Sequence, residues 1–191
     1  MLKDLIVRNR SYRSYDESRR VTREELLELV HLTRFTASGV NRQPLKYRIV
    51  WEKEAVDALQ TLTKWGAMLP HLQLPPPGMC PTGFIVICQD TAITPNLKGC
   101  LIDVGIVAQT MLLAAVEKGL GGCMIGNFRP EAVSAQLDLP ENMYPQLVVA
   151  IGKPAEEIRL TAVGEDGKTA YYRDENGVHC VPKRSLEDIL L

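Results

Sequence analysis

Apolar positions along the chain fall into two rhythms, and the switches between them mark out most of its elements. Leu2, Leu5 and Ile6 recur at helical spacing in "LKDLIVRN" and predict a short first helix. In "VTREELLELVHLTRF" the residues Leu26, Leu29, Val30 and Thr33 share one helical face. Thr22 and Glu25 form a capping box at its start, with Val21 and Leu26 placed as the hydrophobic staple. The rhythm then breaks. "SGVNRQPLKY" holds Gly39 and Pro44, and the proline removes a donor and pushes Gln43 extended, so no helix is expected there. "YRIVW" reads as a strand and "EAVDALQTLTKW" as an amphipathic helix. "LPHLQLPPPGMCPTG" is irregular by its prolines. "FIVICQ" and "QLVVAIG" are short, continuous and β-branched, the pattern of strands covered on both faces.

The strongest helix is "GCLIDVGIVAQTMLLAAVEKGLGG", apolar nearly all round and therefore expected at the centre of the fold. Lys118 favours its C-terminus and Gly119 is a natural left-handed stop. "GCMIG" is a short strand or turn. "RPEAVSAQLDL" is a helix with Pro130 at its first position. "YYRDENGVHCV" predicts a hairpin around Asn176-Gly177 with a type I′ turn, and Ser185 caps a last short helix. Helices and strands are mixed without a regular βαβ rhythm. "GLGGCMIG" follows a helix instead of a first strand, which fits neither the dinucleotide fingerprint nor the phosphate-binding Walker loop.

Bulk composition narrows the function classes. The 191 residues suit one domain, with 46% hydrophobic and 24% charged residues. A net charge of −1 argues against a general nucleic-acid binder. The apolar stretch 99–116 is broken by Asp103, Gly105 and Gln109, so no membrane span is expected. "MLKDLIV" lacks the apolar core of a secretory signal, and a cytoplasmic location follows as the expectation. The five cysteines form no CxxC pair and the three histidines do not cluster with them, so neither a metal site nor a disulfide framework is expected.

Charge is nonetheless uneven. Six arginines lie between Arg8 and Arg23. Within them "NRSYR" places Arg10, Ser11 and Arg13 just after the first helix. Two guanidinium forks and a hydroxyl suit a phosphate; a solvated or self-paired basic segment is the other reading. Ser38, Asn41 and Gln43 in "SGVNRQP" suit the polar edge and ribityl hydroxyls of a flavin-like ligand, or else satisfy their own turn. In "GLGGCMIGNF" the glycines permit close backbone approach to a flat ligand. Lys183 and Arg184 offer a further anion contact, or stand as two exposed bases.

The order of these pieces resembles that of the nitroreductase-like, FMN-dependent oxidoreductase family, in its short form, over nearly the whole chain. "NRSYR" stands for "RRSxR", "ASGVNRQP" for "PSxxNxQP", and "DVGIVAQTMLLAAVEKGLGGCMIG" for the long helix and glycine loop; "AIGKPAEE" and the closing "KR" follow. Asn9 stands where an arginine is common and Ala37 where a proline is common. The resemblance implies an α+β three-layer sandwich with a central mixed, mainly antiparallel sheet flanked by helices. It implies one domain over residues 1–191 and a homodimer with FMN at the interface, the segment from about 165 to 191 extending onto the partner subunit. Arg10 and Ser11 would grip the FMN phosphate with Arg184 and Lys183. Arg13 would sit near the N1–C2=O edge. Ser38, Asn41 and Gln43 would come from the other subunit, and Met124, Ile125 and Gly126 would line the ring near N5. Arg19, Arg20 and Arg23 are left over as surface.

The implied activity is ping-pong reduction of a small-molecule electron acceptor, such as a nitroaromatic or a quinone, with NADH or NADPH as donor. The flavin would carry the chemistry, so no catalytic side chain is expected. A flavin-binding sensor or store without turnover, a reductive dehalogenase of the same fold and a nucleic-acid-binding arginine segment are the alternatives. Trp65, His71 and Cys80 in the proline-rich loop are candidates for the acceptor pocket, against a plain stiffened connection.

Overall fold

A computed structural model describes residues 1–191. The elements are α1 (Leu2–Arg8), α2 (Arg23–Leu32), β1 (Leu45–Val50), α3 (Lys53–Thr61), β2 (Gly83–Asp90), α4 (Leu101–Glu117), β3 (Gly121–Ile125), α5 (Pro130–Gln136), β4 (Met143–Gly152), β5 (Ile158–Ala162), β6 (Tyr172–Arg173) and β7 (His179–Lys183). Local chemistry sets most of the boundaries. Thr22 accepts the Glu25 N–H while the Glu25 carboxylate takes the Thr22 N–H, which is the expected capping box. Gly119 adopts φ +73° and the Leu120 N–H closes back on the Ala115 carbonyl at 2.8 Å, ending α4. Pro130 opens α5.

The main sheet has the order β1-β2-β4-β3, antiparallel at every pairing. Strand β2 is buried at all eight positions because both sheet faces are covered. Ile85, Ile87, Val149 and Ile151 pack with α2 and α4 on one face. Phe84, Val86, Val148 and Ala150 pack with α3 and α5 on the other. The result is a three-layer sandwich of helices, sheet and helices, as the family resemblance implies. A second, small sheet has the order β5-β7-β6, with β5 and β7 parallel.

Four local expectations are corrected. The segment after α2 does contain two 3₁₀ turns, Thr33–Phe35 and Gly39–Asn41, the second within the Ser38 loop and kinked by Val40 at φ +45°. Gln43 is not extended but sits at φ +51°, although Pro44 follows it. The hairpin is real, yet its turn is not type I′. Gly177 takes positive φ but Asn176 does not, and the turn closes from the Gly177 N–H to the Asp174 carbonyl. The Asp174 carboxylate, bonded to the Asn176 and Val178 N–H groups, fixes this longer turn. The N-cap of the final 3₁₀ turn, Glu187–Ile189, is Leu186 and not Ser185, although the Ser185 hydroxyl accepts the Asp188 N–H at 3.2 Å.

Helix α4 is buried on its core side but not all round. Leu101 and Ile102 are 50% and 81% exposed, and Leu2, Ile6 and Val7 of α1 are also uncovered. No helix is long and apolar enough to cross a membrane.

Candidate functional site

The "NRSYR" segment is laid along the free edge of β3. Ser11 bridges Gly122 in parallel, and the Tyr12 N–H donates to the Gly122 carbonyl at 3.1 Å. Tyr15 is fully buried and its hydroxyl donates to the Tyr12 carbonyl at 2.7 Å. The tyrosines thus anchor the segment, while neighbouring side chains turn to a pocket of about 300 Å³. Arg10, Ser11, Arg13 and Lys183 line it together with Asn9, Tyr171 and His179. Four of the predicted residues therefore meet in one place. Arg184, the next residue after Lys183, is exposed and does not line it.

The pocket's charge is one-sided: three cations line it and no carboxylate does. The Arg10 Nε is buried without a hydrogen-bond partner, and its Nη2 donates to the Ile6 carbonyl at 2.8 Å. An orphaned guanidinium donor beside two further cations and a hydroxyl fits a phosphate. Asn9, standing in place of the common arginine, is 8% exposed and forms part of the wall.

Glu156 lies behind the pocket. It accepts the Arg13 backbone N–H, and the Arg173 Nη2 reaches it at 2.5 Å. Burial alone would push its carboxyl up, but His179, the Arg13 N–H and Arg173 outweigh that and hold it below the usual range. The folded state therefore favours ionised Glu156 over the unfolded state. That stabilisation is present at neutral pH and is lost as the pH falls through the lowered value. Wild-type protein should lose thermal stability below roughly pH 4, and Glu156→Gln, already weaker at neutral pH, should lose less over the same range. Circular dichroism melts between pH 7 and pH 3 check this.

Met124, Ile125 and Gly126 continue β3 past the Ser11 bridge. Met124 is 37% exposed, whereas Ile125 is buried in the core, so only its backbone can reach a ligand. A Cβ on Gly126 would meet nothing within 4 Å, which leaves room for a flat ring.

The Ser38 loop stands elsewhere. Ser38 and Gln43 line a separate cavity of about 190 Å³ with Asp103 and Tyr47. The Ser38 hydroxyl donates to Asp103 Oδ2 at 2.5 Å, and the Gly39 N–H donates to Asp103 Oδ1 at 3.1 Å. The Gln43 N–H donates to Ser38 Oγ at 3.0 Å, and the Gln43 amide reaches Asn41 Oδ1 at 3.0 Å. In one chain, then, the Ser38 hydroxyl is committed to Asp103 of α4 and to the Gln43 N–H of its own loop. Asp103 is buried in the first turn of α4, while the Arg10 pocket lies past that helix's C-terminus. Fifteen residues of helix separate the ends, roughly 22 Å along its axis.

Val40, Asn41 and Gln43 all take positive φ, which costs about 1 kcal/mol or more each. Asp103 ties down the start of this loop, at the Ser38 hydroxyl and the Gly39 N–H. Asp103→Ala should cost about 2 kcal/mol in urea unfolding and leave the helical circular dichroism unchanged, because the loss is confined to the loop.

Asp103, Glu156, Tyr171 and His179 escaped the sequence reading. A lone carboxylate inside an apolar helix was the available signal for Asp103. Three leftover arginines are accounted for structurally: Arg19 pairs with Glu25, Arg20 donates to the Trp51 carbonyl and Arg23 lies over the Trp51 ring. Trp65 packs edge-on to Tyr15, and its Nε1–H donates to Thr63, so it serves the core. His71 lines a different groove, with Glu156 and Arg173. Cys80 is tied by its backbone N–H to Glu17 and stays a free thiol, as do the other four cysteines.

Comparison with known proteins matches residues 6–68 and 98–153 to the sequence model of a family described as "Nitroreductase family". A Cr(VI) reductase of Pseudomonas sp. (strain G-1) is 29% identical over 170 residues, covering 81% of this chain and 67% of that protein. The crystal structure of a nitroreductase family protein from Clostridium difficile 630 superposes with a TM-score of 0.63 at 25% identity, covering 82% of this chain and 85% of that one. A protein of Exiguobacterium sibiricum 255-15 crystallised in complex with FMN shares the fold, with a TM-score of 0.67 at 17% identity, over 82% of this chain and 89% of that one.

Proposed function

The chain belongs to the nitroreductase family, and from that premise we propose that it is an FMN-dependent oxidoreductase that uses NADH or NADPH to reduce small-molecule acceptors. The observation that carries the reading is the one-sided pocket, where the orphaned Arg10 Nε faces two more cations and no carboxylate. Arg10, Ser11 and Lys183 would hold the FMN phosphate, and Arg184 would lie outside that grip. Arg13 would place positive charge at the N1–C2=O edge. The backbone of Met124 to Gly126 would face the N5 side. When bound, FMN supplies a ring that accepts a hydride from the nicotinamide donor and returns two electrons to the acceptor. The protein's own part is to fix that ring and leave one face open.

The two halves of the site favour a homodimer. Ser38, Asn41 and Gln43 lie at the far end of α4 from the Arg10 pocket, so one chain cannot bring both to one ligand. Two antiparallel copies of α4 can. Exposed apolar residues on the two helices, Leu101 and Ile102 of α4 and Leu2 and Ile6 of α1, offer apolar surface that such a pairing would bury. Residues 179–183 pair with β5 of their own chain, and residues 172–173 pair in turn with β7. The part of the C-terminal segment left to reach a partner is thus the last turn, with Leu186, Ile189, Leu190 and Leu191 exposed.

Nitroaromatics and quinones are the acceptor classes to test. Steady-state oxidation of NADH and NADPH by FMN-loaded protein, with and without each acceptor, separates the readings. Acceptor-dependent oxidation supports the oxidoreductase; FMN retained with no turnover on any acceptor would leave a flavin-binding sensor or store.

A further inference from the structure

We propose that His179 is a positioning residue that holds the Arg13 guanidinium in the anion pocket, backed by Glu156. The inference rests on the reading of that pocket as the flavin site. His179, the first residue of β7, is 1% exposed. Its two ring nitrogens face opposite ways. Nε2 lies 3.5 Å from Arg13 Nη1, on the pocket side. Nδ1 is buried, makes no hydrogen bond, and lies 3.6 Å from Glu156 Oε2.

The chemistry of the three groups fixes their order. A guanidinium has donors only, so the one thing an imidazole can offer it is a lone pair. A carboxylate has acceptors only, so the proton belongs on the nitrogen facing it. Glu156 therefore selects the tautomer with the proton on Nδ1, and Nε2 is left as the acceptor for Arg13. Glu156 also accepts the Arg13 backbone N–H, so the same carboxylate ties down both the main chain of Arg13 and, through His179, its head group. Arg173 balances the Glu156 charge at 2.5 Å.

Tyr171 completes the arrangement. Its ring centre is 5.3 Å from the His179 ring at a tilt of 30°, and the Arg13 Cζ lies 4.6 Å above it. Arg13 is thus held by a ring face and a ring nitrogen before any ligand arrives. A long side chain ordered in advance loses less freedom on binding. This gives the small sheet a purpose: β7 and the residue just before β6 bring His179 and Tyr171 to one flank of the pocket, while Arg173 of β6 reaches Glu156 behind it.

The test is a double-mutant cycle read by FMN titration, with quenching of flavin fluorescence as the signal. His179→Phe keeps a ring against Tyr171 and removes both nitrogens. It should weaken FMN about tenfold, and His179→Gln, whose amide oxygen reaches toward Arg13, should recover most of that. In an Arg13→Met background His179→Phe should add less than about twofold, because the group it positions is gone. Should His179→Phe fail to fold, His179→Asn replaces it: its shorter amide reaches Glu156 but not Arg13, and the same losses are expected. Equal FMN affinity in the single variant, or the same loss in both backgrounds, would overturn the inference and leave His179 a packing residue. Wild-type protein that takes up no FMN would overturn the pocket reading and this inference together, so the two failures are distinct.

Discussion

Arg10→Ala should yield a folded protein that binds FMN about a hundredfold more weakly than wild type. Within the chain the Arg10 side chain makes one hydrogen bond, to the Ile6 carbonyl at the end of a short exposed helix. Its removal should move stability by no more than about 0.5 kcal/mol. The ligand loses much more. The buried Nε has no partner in the chain, and the pocket holds no carboxylate to compete for it. Two charge-assisted bonds to a phosphate, at about 1.5 kcal/mol or more each, give the expected factor. Arg10→Lys keeps the charge and loses the fork, so it should fall between. Arg184→Ala should cost less than Arg10→Ala, since Arg184 stands outside the pocket. FMN titration of the three variants, with melting curves of the ligand-free proteins, checks the order.

Gly122→Ala should destabilise the protein by about 3 kcal/mol and release the N-terminal segment. A Cβ at this position would lie 2.2 Å from the Ala150 carbonyl oxygen and 2.6 Å from Leu112 Cδ2. The first is backbone of the paired strand and cannot rotate away. Strand β3 would have to move off β4, and it carries the Ser11 bridge with it. Stability and FMN affinity should therefore fall together. Gly126→Ala is the control. Its Cβ would meet nothing within 4 Å, so stability should stay within about 0.5 kcal/mol of wild type, while a methyl group beside the flavin ring should still disturb binding. Urea unfolding of both variants decides it.

These two glycines show what the sequence makes legible and what it hides. Both sit in one glycine-rich run, and nothing local tells the crowded one from the open one. The difference comes from Ala150 and Leu112, which only the fold brings near. Boundaries written in short-range chemistry were readable: the Thr22–Glu25 box, the Gly119 stop and the Pro130 start. Strand β5 was not, because "IRLTA" is largely half-buried or exposed and carries no clean alternation. The same division runs through the site. Arginines 10 and 13 advertise an anion by their type and spacing. Glu156 and His179 do not, since a carboxylate in a strand-end loop and a histidine in a hairpin gain meaning only when placed against Arg13. Periodicity marked α4 as apolar all round, but it could not say that one face would be left uncovered by its own chain. Nor could it reveal that the Ser38 loop and the Arg10 pocket end up at opposite ends of that helix.

The most direct test of the account is native mass spectrometry of the protein saturated with FMN. A dimer of the 21.3 kDa chain carrying two FMN molecules is the predicted result, because in the proposed site the Arg10 pocket of one chain would meet the Ser38 loop of the other. A monomer holding one FMN tightly would contradict the shared site, and protein with no FMN in any species would contradict the flavin reading itself.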